Sequence, residues 1–236
     1  MAGYIGSKSS VTQVDGYNRT EADDRYVNAS GDTMTGDLTI ETSGTTNFDV
    51  KSTAVNGTAQ ARFSNDARTY SVGIDDADNF FVYDQTSAAT RINVDTSGRV
   101  IMPYQPAFSV SSNNGARSVA SGGDFVFTII GSNRGNHFNT STNRFTAPVS
   151  GMYHFSAGVY YNSVSGSDGR AGFQKNGGYP LQSTPFVTYV RNEASVSLSM
   201  DMLLYAGDWV TLHNWDGIST INYWADHTWF SGYLIG

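Results

Sequence analysis

Apolar residues in this chain recur at every second position over short runs, and each run stops at Gly, Asn, Asp or Ser. Side chains spaced in this way share one face of a strand. The clearest runs are Tyr70-Ser71-Val72-Gly73-Ile74, Asn79 to Tyr83, Arg91-Ile92-Asn93-Val94 and Arg99 to Met102. Asp37-Leu38-Thr39-Ile40 and Asn47-Phe48-Asp49-Val50 precede them. Turn residues sit between, at Asp75 to Asn79 and at Ser97-Gly98. Strands about every ten residues are the spacing of meanders and sandwiches. The fold class expected is all-β.

Composition agrees. Aromatics make up 13% of the chain, Gly contributes 25 residues, and charged residues only 15%. Such a mixture favours strands and tight turns over helices. The net charge is −7, and the 14 Lys and Arg are scattered singly. A protein that grips phosphates carries a basic stripe instead, so no nucleic-acid partner is expected. There is no cysteine, which excludes disulfides and thiolate metal sites. No apolar run reaches the length of a membrane span, and Met1 to Ser10 lacks the apolar core of a signal peptide. No membrane insertion is expected, and exit from a cell would be by a route such as lysis.

Three regions differ in texture. Residues 1–33 are polar, with one capping-box pattern at Thr20-Glu21-Ala22-Asp23 that allows a short helix to about Tyr26. Such a segment is either a flexible tail or an anchor ordered by a partner. Residues 34–102 hold the short strands listed above but few large apolar side chains. One chain alone would give this region a thin core, and sharing it around a threefold axis is the simplest remedy. Residues 103–236 are aromatic-rich and carry Trp209, Trp215, Trp224 and Trp229. Pro103 and Pro106 mark a short stiff connector.

The third region resembles the C1q globular domain. The likeness begins at Ala107-Phe108-Ser109-Val110. It continues through Phe145-Thr146-Ala147-Pro148-Val149-Ser150-Gly151-Met152-Tyr153-His154-Phe155, resumes at Gly207-Asp208-Trp209-Val210, and closes at Phe230-Ser231-Gly232-Tyr233-Leu234. Pro148 and Gly151 turn the chain, and Tyr153 and Phe155, two apart, point into one core. The resemblance implies a ten-stranded jelly roll, tumour-necrosis-factor-like, assembling as a tight homotrimer. Regions one and two stand where animal members have a collagen-like stem. Asn18-Arg19-Thr20-Glu21-Ala22-Asp23-Asp24-Arg25-Tyr26-Val27, followed by Gly31-Asp32-Thr33-Met34-Thr35-Gly36-Asp37-Leu38-Thr39-Ile40, resembles a segment of bacteriophage tail fibres. Gly73-Ile74-Asp75 and Asp95-Thr96-Ser97-Gly98-Arg99-Val100 share that character.

No enzyme constellation is visible: no G-x-S-x-G, no H-E-x-x-H and no phosphate-binding Gly loop. His137, His154, His213 and His227 are dispersed. His154, between Tyr153 and Phe155, should face away from the core. Asp75, Asp76 and Asp78 resemble the start of a calcium loop but lack its Gly and distal Glu, so a solvated turn is expected. No cofactor is indicated. Calcium near the trimer apex is a property of some family members, and Asp168, Glu193 and Asp201 are acids near loops with no spacing that singles them out. The stretch from Trp215 and Asp216 through Tyr223, Trp224, Asp226 and His227 suits sugar recognition. Flat rings stack on a sugar face and carboxylates accept hydroxyl hydrogen bonds. The competing reading is that these rings pack the trimer axis.

The expectation is a non-enzymatic virion structural protein. It would be a trimeric tail fibre on the virion exterior, assembled in the host bacterial cytoplasm. Its N-terminus would dock on a virion protein, and its distal head would meet a host-surface glycan or protein. A head decoration or capsid-attached fibre is the alternative. A glycan-degrading tailspike would need paired carboxylates in a long β-helix groove, and no such repeat is present.

Overall fold

A computed structural model of the protein describes residues 36–113, 115–164, 169–180, 187–190, 194–215 and 220–236. Residue contacts divide the chain into two units, Met1–Asp49 and Val50–Gly236. The helix expected up to Tyr26, and the whole 1–33 segment, lie outside the described residues.

The described part of the first unit, residues 36–49, contains no strand. This corrects the expectation for Asp37–Ile40 and Asn47–Val50. A strand needs a neighbour for its N–H and C=O groups, and these runs have no ladder partner among the described residues. Leu38, Ile40 and Phe48 stay exposed, Phe48 at 68%.

The second unit opens with an antiparallel meander. Its strands are β1 (Ala59–Ser64), β2 (Thr69–Ile74), β3 (Phe80–Asp84), β4 (Ala89–Val94) and β5 (Val100–Ile101), paired in that order. The four later strands match the sequence reading. β1 went unseen because Phe63 is its one large apolar residue. Two hairpins close with the same turn. The carboxylate of Asp75 accepts from the N–H of Ala77 and Asn79 at 3.0 and 2.8 Å. That of Asp95 accepts from Ser97 and Arg99 at 2.9 and 3.0 Å. The fourth turn residue takes positive φ in both, Asp78 at 64° and Gly98 at 80°, where Asp and Gly are the tolerated choices. The acidic run at 75–78 is therefore a turn, as its missing Gly and Glu implied.

Twelve strands follow among the described residues. They are β6 (Ala107–Ser111), β7 (Ala116–Val119), β8 (Ile129–Arg134), β9 (Phe138–Asn139), β10 (Arg144–Thr146), β11 (Gly151–Val164), β12 (Gly169–Lys175), β13 (Val187–Val190), β14 (Ala194–Leu204), β15 (Trp209–Asn214), β16 (Ile221–Trp224) and β17 (Trp229–Leu234). β13, β12, β15, β10 and β9 form one sheet in that order. The second sheet has seven strands built on the long β11. One edge of β11 pairs with β14 from Gly151 to Tyr161. Its other edge pairs with β17 at residues 153–158 and with β16 at residues 161–164. β16 and β17 thus lie end to end, as do β6 and β7 outside them, paired to β17 and β16. Counting each broken path once leaves ten strand paths.

Phenylalanine is the commonest residue in the core between the two sheets, with eight buried rings. Phe108 stacks on Phe145 at 4.9 Å and meets Phe230 edge-on at 4.8 Å. Tyr153 and Phe155 are fully buried, side by side in β11. Gly232 makes this packing possible: a Cβ there would lie 2.6 Å from the Phe155 ring and 2.8 Å from Phe108. The Tyr153 hydroxyl leaves the core by donating to the Val149 carbonyl at 2.8 Å.

Candidate functional site

Alternation along β11 and β17 sends Phe155 and Phe230 inward, and Tyr160 and Trp229 outward. At residue 225 the path from β16 to β17 jogs through a single 3-10 turn, Ala225–His227. The Ala225 N–H donates to the Gly115 carbonyl at 2.8 Å, and the Thr228 hydroxyl donates to the Trp224 carbonyl at 2.8 Å. These bonds fix the jog, with Asp226 and His227 exposed upon it. Trp229 lies across Gly158, where a Cβ would sit 2.4 Å from the indole Nε1. His227 approaches the Tyr160 ring edge-on at 5.8 Å.

Together Ser111, Tyr160, Ser195, Trp224, Asp226, His227, Thr228 and Trp229 line an open groove of about 750 Å³. Trp224 and Trp229 are 36% and 39% exposed, enough to offer ring area to a ligand or another chain. Chemically the groove combines indole and phenol faces, one carboxylate, one imidazole and three hydroxyl-bearing side chains. It can stack on flat apolar surface and accept or donate hydrogen bonds, with no nucleophile–base pair visible in it.

The structure separates the six residues singled out by sequence. Trp224, Asp226 and His227 share the groove. Tyr223 does not, and the expectation of a loop contact is corrected. It is a buried residue within β16, its ring 4.9 Å from Phe125 and its hydroxyl accepting from the Val126 N–H at 3.2 Å. Burial pushes its phenol pKa up. The cause is parity: Tyr223 and Trp224 are neighbours on a strand, so they face opposite ways. Trp215 follows β15 in the other sheet. Its Nε1 donates to the Phe173 carbonyl at 3.1 Å, and its ring packs on Tyr179 at 4.4 Å and His213 at 4.7 Å. Asp216 lies outside the described residues. Tyr160 and Trp229 were missed, although the alternation Trp229, Ser231, Tyr233 against Phe230, Gly232, Leu234 marks Trp229 as outward.

Among the described residues, two His–Asp pairs lie outside the groove. His154 Nδ1 lies 2.7 Å from an Asp201 carboxylate oxygen on the outer sheet face, away from the core as its position implied. His213 Nδ1 lies 2.7 Å from Asp124, which also accepts from the Thr211 hydroxyl at 3.0 Å. Asp168 and Glu193, weighed for calcium, lie outside the described residues. Among the described residues no three His, Asp or Glu side chains converge to hold a metal. No described helix is long and apolar enough to cross a membrane.

Two antiparallel sheets over an aromatic core define a jelly-roll domain. Residues 107–235 match the model of the C1q domain, and the chain belongs to that family. Similar solved structures include the globular domain of zebrafish complement 1qA, 23% identical with TM-score 0.45, which covers 56% of this chain and 98% of that one. Eiger TNF from S. frugiperda is 10% identical with TM-score 0.42, covering 56% of this chain and 93% of its own. Murine APRIL is 14% identical with TM-score 0.43, covering 56% and 99%. No curated protein matches the chain. C1q-type domains are generally non-enzymatic binding modules and commonly form homotrimers.

Proposed function

We propose that this protein is a trimeric, non-enzymatic fibre of a bacteriophage virion, with the C1q domain as its host-attachment head. One observation carries the reading. A one-layer β-meander, too thin to make its own core, leads straight into a jelly roll of a family that commonly trimerises. Fibre-like motifs in residues 18–40 and 95–100 support the same assignment. In this reading the groove of Tyr160, Trp224, Asp226, His227 and Trp229 meets a host-surface glycan. Aromatic faces stack on sugar rings, and three copies add weak contacts by avidity. A second reading of the groove is a seat for a sibling chain, since Trp224 and Trp229 leave more than a third of their surface exposed on the outer sheet face.

The test is microscopy of virions carrying a gold-labelled copy of the protein. Label at the tail supports the tail fibre. Label on the head shell moves the protein to the capsid-attached alternative, and absence of label from particles removes the virion assignment.

A further inference from the structure

One face of the β1–β5 sheet is polar, and a groove runs along it. Cross-strand register places Gln60, Gly73, Phe81 and Asn93 in one row, and Arg62, Ser71, Tyr83 and Thr90 in the next. Residues directly opposite one another share a face of the sheet. In both rows β2 contributes the smallest residue, Gly73 or Ser71. A channel therefore follows β2, with β1 side chains on one bank and β3 rings on the other. Gly73 admits no larger residue, because a Cβ there would run into the Ala59 carbonyl oxygen. Thr58 and Asp75 extend the channel at one end, and its volume is about 400 Å³. The span from Thr58 to Arg62 makes it about 14 Å long.

The lining is mixed in character. Ser71 is fully buried and Phe81 nearly so, and Tyr83 stands edge-on to Phe81 at 6.5 Å. The Gln85 amide donates to the Ser71 hydroxyl at 2.7 Å and to the Gln60 side-chain carbonyl at 3.5 Å. Among the described residues no other side-chain hydrogen bond engages these two amides. The Gln60 amide nitrogen and the Gln85 side-chain carbonyl thus remain as a donor and an acceptor on the groove wall. Arg62 and Asp75 bring one charge of each sign, so the lining is neutral overall.

We infer that this groove binds a short neutral glycan. Chemistry selects the occupant. A sugar hydroxyl both donates and accepts, which a pair of amides answers, and the flat face of a sugar ring packs on a phenol ring such as that of Tyr83. A polyanionic ligand needs several cations, and this groove has one. An apolar segment would leave the Gln, Arg and Asp groups unpaired. The volume lies within the range of small-ligand sites, about 300–1,000 Å³. The site is separate from the head groove, so it holds or fails independently of the attachment reading above.

The full-length protein is titrated with maltotriose, tri-N-acetylchitotriose and trigalacturonate. Saturation-transfer NMR reads contact and calorimetry reads affinity. Gln60→Ala and Arg62→Ala are the groove variants. Ile74→Ser, an exposed position on the opposite face, is the control. Melting temperatures establish that each variant is folded, and Arg62→Ala, at an exposed position, decides the matter if Gln60→Ala is not. The expected result is binding of a neutral trisaccharide that Gln60→Ala and Arg62→Ala each weaken about tenfold, the loss of one hydrogen-bonded group. Ile74→Ser should bind as the parent does. Binding that survives both groove variants, or that Ile74→Ser also loses, overturns the inference. Preference for trigalacturonate, or no binding by any of the three sugars, overturns it too and leaves the assignment of the head untouched.

Discussion

Phe155 shows how one position serves the whole head. Its ring is completely buried, edge-on to Phe145 at 5.6 Å and tilted against Phe230 at 6.0 Å, and it fills the space that Gly232 leaves. Truncating a buried Phe to Ala removes transfer energy and leaves a cavity, together costing about 3–5 kcal/mol. Phe155→Ala should lose stability on that scale in denaturant titration. An unchanged midpoint would mean the core is misassigned. Gly232 and Gly158 are the reverse case, since neither tolerates a Cβ: one makes room for the inner rings, the other for the outer indole of Trp229. Tyr153 and Phe155 were legible from sequence as two alternating aromatics after a Pro–Gly turn. The space at Gly158 was not, because it depends on β17 lying beside β11.

Within the meander, a single carboxylate ties three segments together. Asp84 ends β3, and the same oxygen accepts from Arg68, before β2, and from Arg91 in β4. Its other oxygen accepts from the Ser87 N–H at 3.1 Å. The Arg91 hydrogen bond, above all, holds the Asp84 pKa down to about 2, against burial that opposes it. An Asp in an unfolded chain titrates near about 3.9. The folded state therefore binds the proton more weakly, and the contribution of Asp84 is complete above about pH 4 and lost as pH falls towards 2. Melting temperatures of the parent protein and Asp84→Asn should differ at pH 6 and converge by pH 2. A constant gap across that range would show that Asp84 is not the group responsible. The sequence reading found β2 to β5 because each alternates. It did not find this triad, whose members are distant in sequence, at positions 68, 84 and 91, and meet only once the hairpins form.

At the scale of the whole molecule, the outer head groove has two proposed occupants, a copy of the chain or a host surface. Trp224→Ala and Trp215→Ala distinguish them. If the groove is the attachment surface, Trp224→Ala should keep the mass of three 25.5 kDa chains by light scattering and an unchanged melting temperature, with reduced adsorption to host cells. If the groove seats a sibling, the same variant should lose the trimer. Trp215→Ala should lower the melting temperature, because its indole donates to the Phe173 carbonyl and packs on Tyr179. Unchanged binding by a folded, trimeric Trp224→Ala protein would exclude the groove as the receptor site.

Period-two alternation and turn residues were sufficient to read the all-β class, four of five meander strands and the inward pair Tyr153 and Phe155, since these depend on local chain geometry. The C1q likeness rested on blocks of sequence in the right order, and the family match over residues 107–235 agrees with it. What depends on distant segments was decided only in three dimensions. Trp215 and Trp224 are nine positions apart, yet the chain passes from one sheet to the other between them and they end on different sheets. Tyr223 went to the core and Trp224 to the groove because β11 fixes which face of β16 is inward. Leu38, Ile40 and Phe48 alternate as a strand would but form none, because alternation offers a face and only a neighbouring strand can complete its hydrogen bonds.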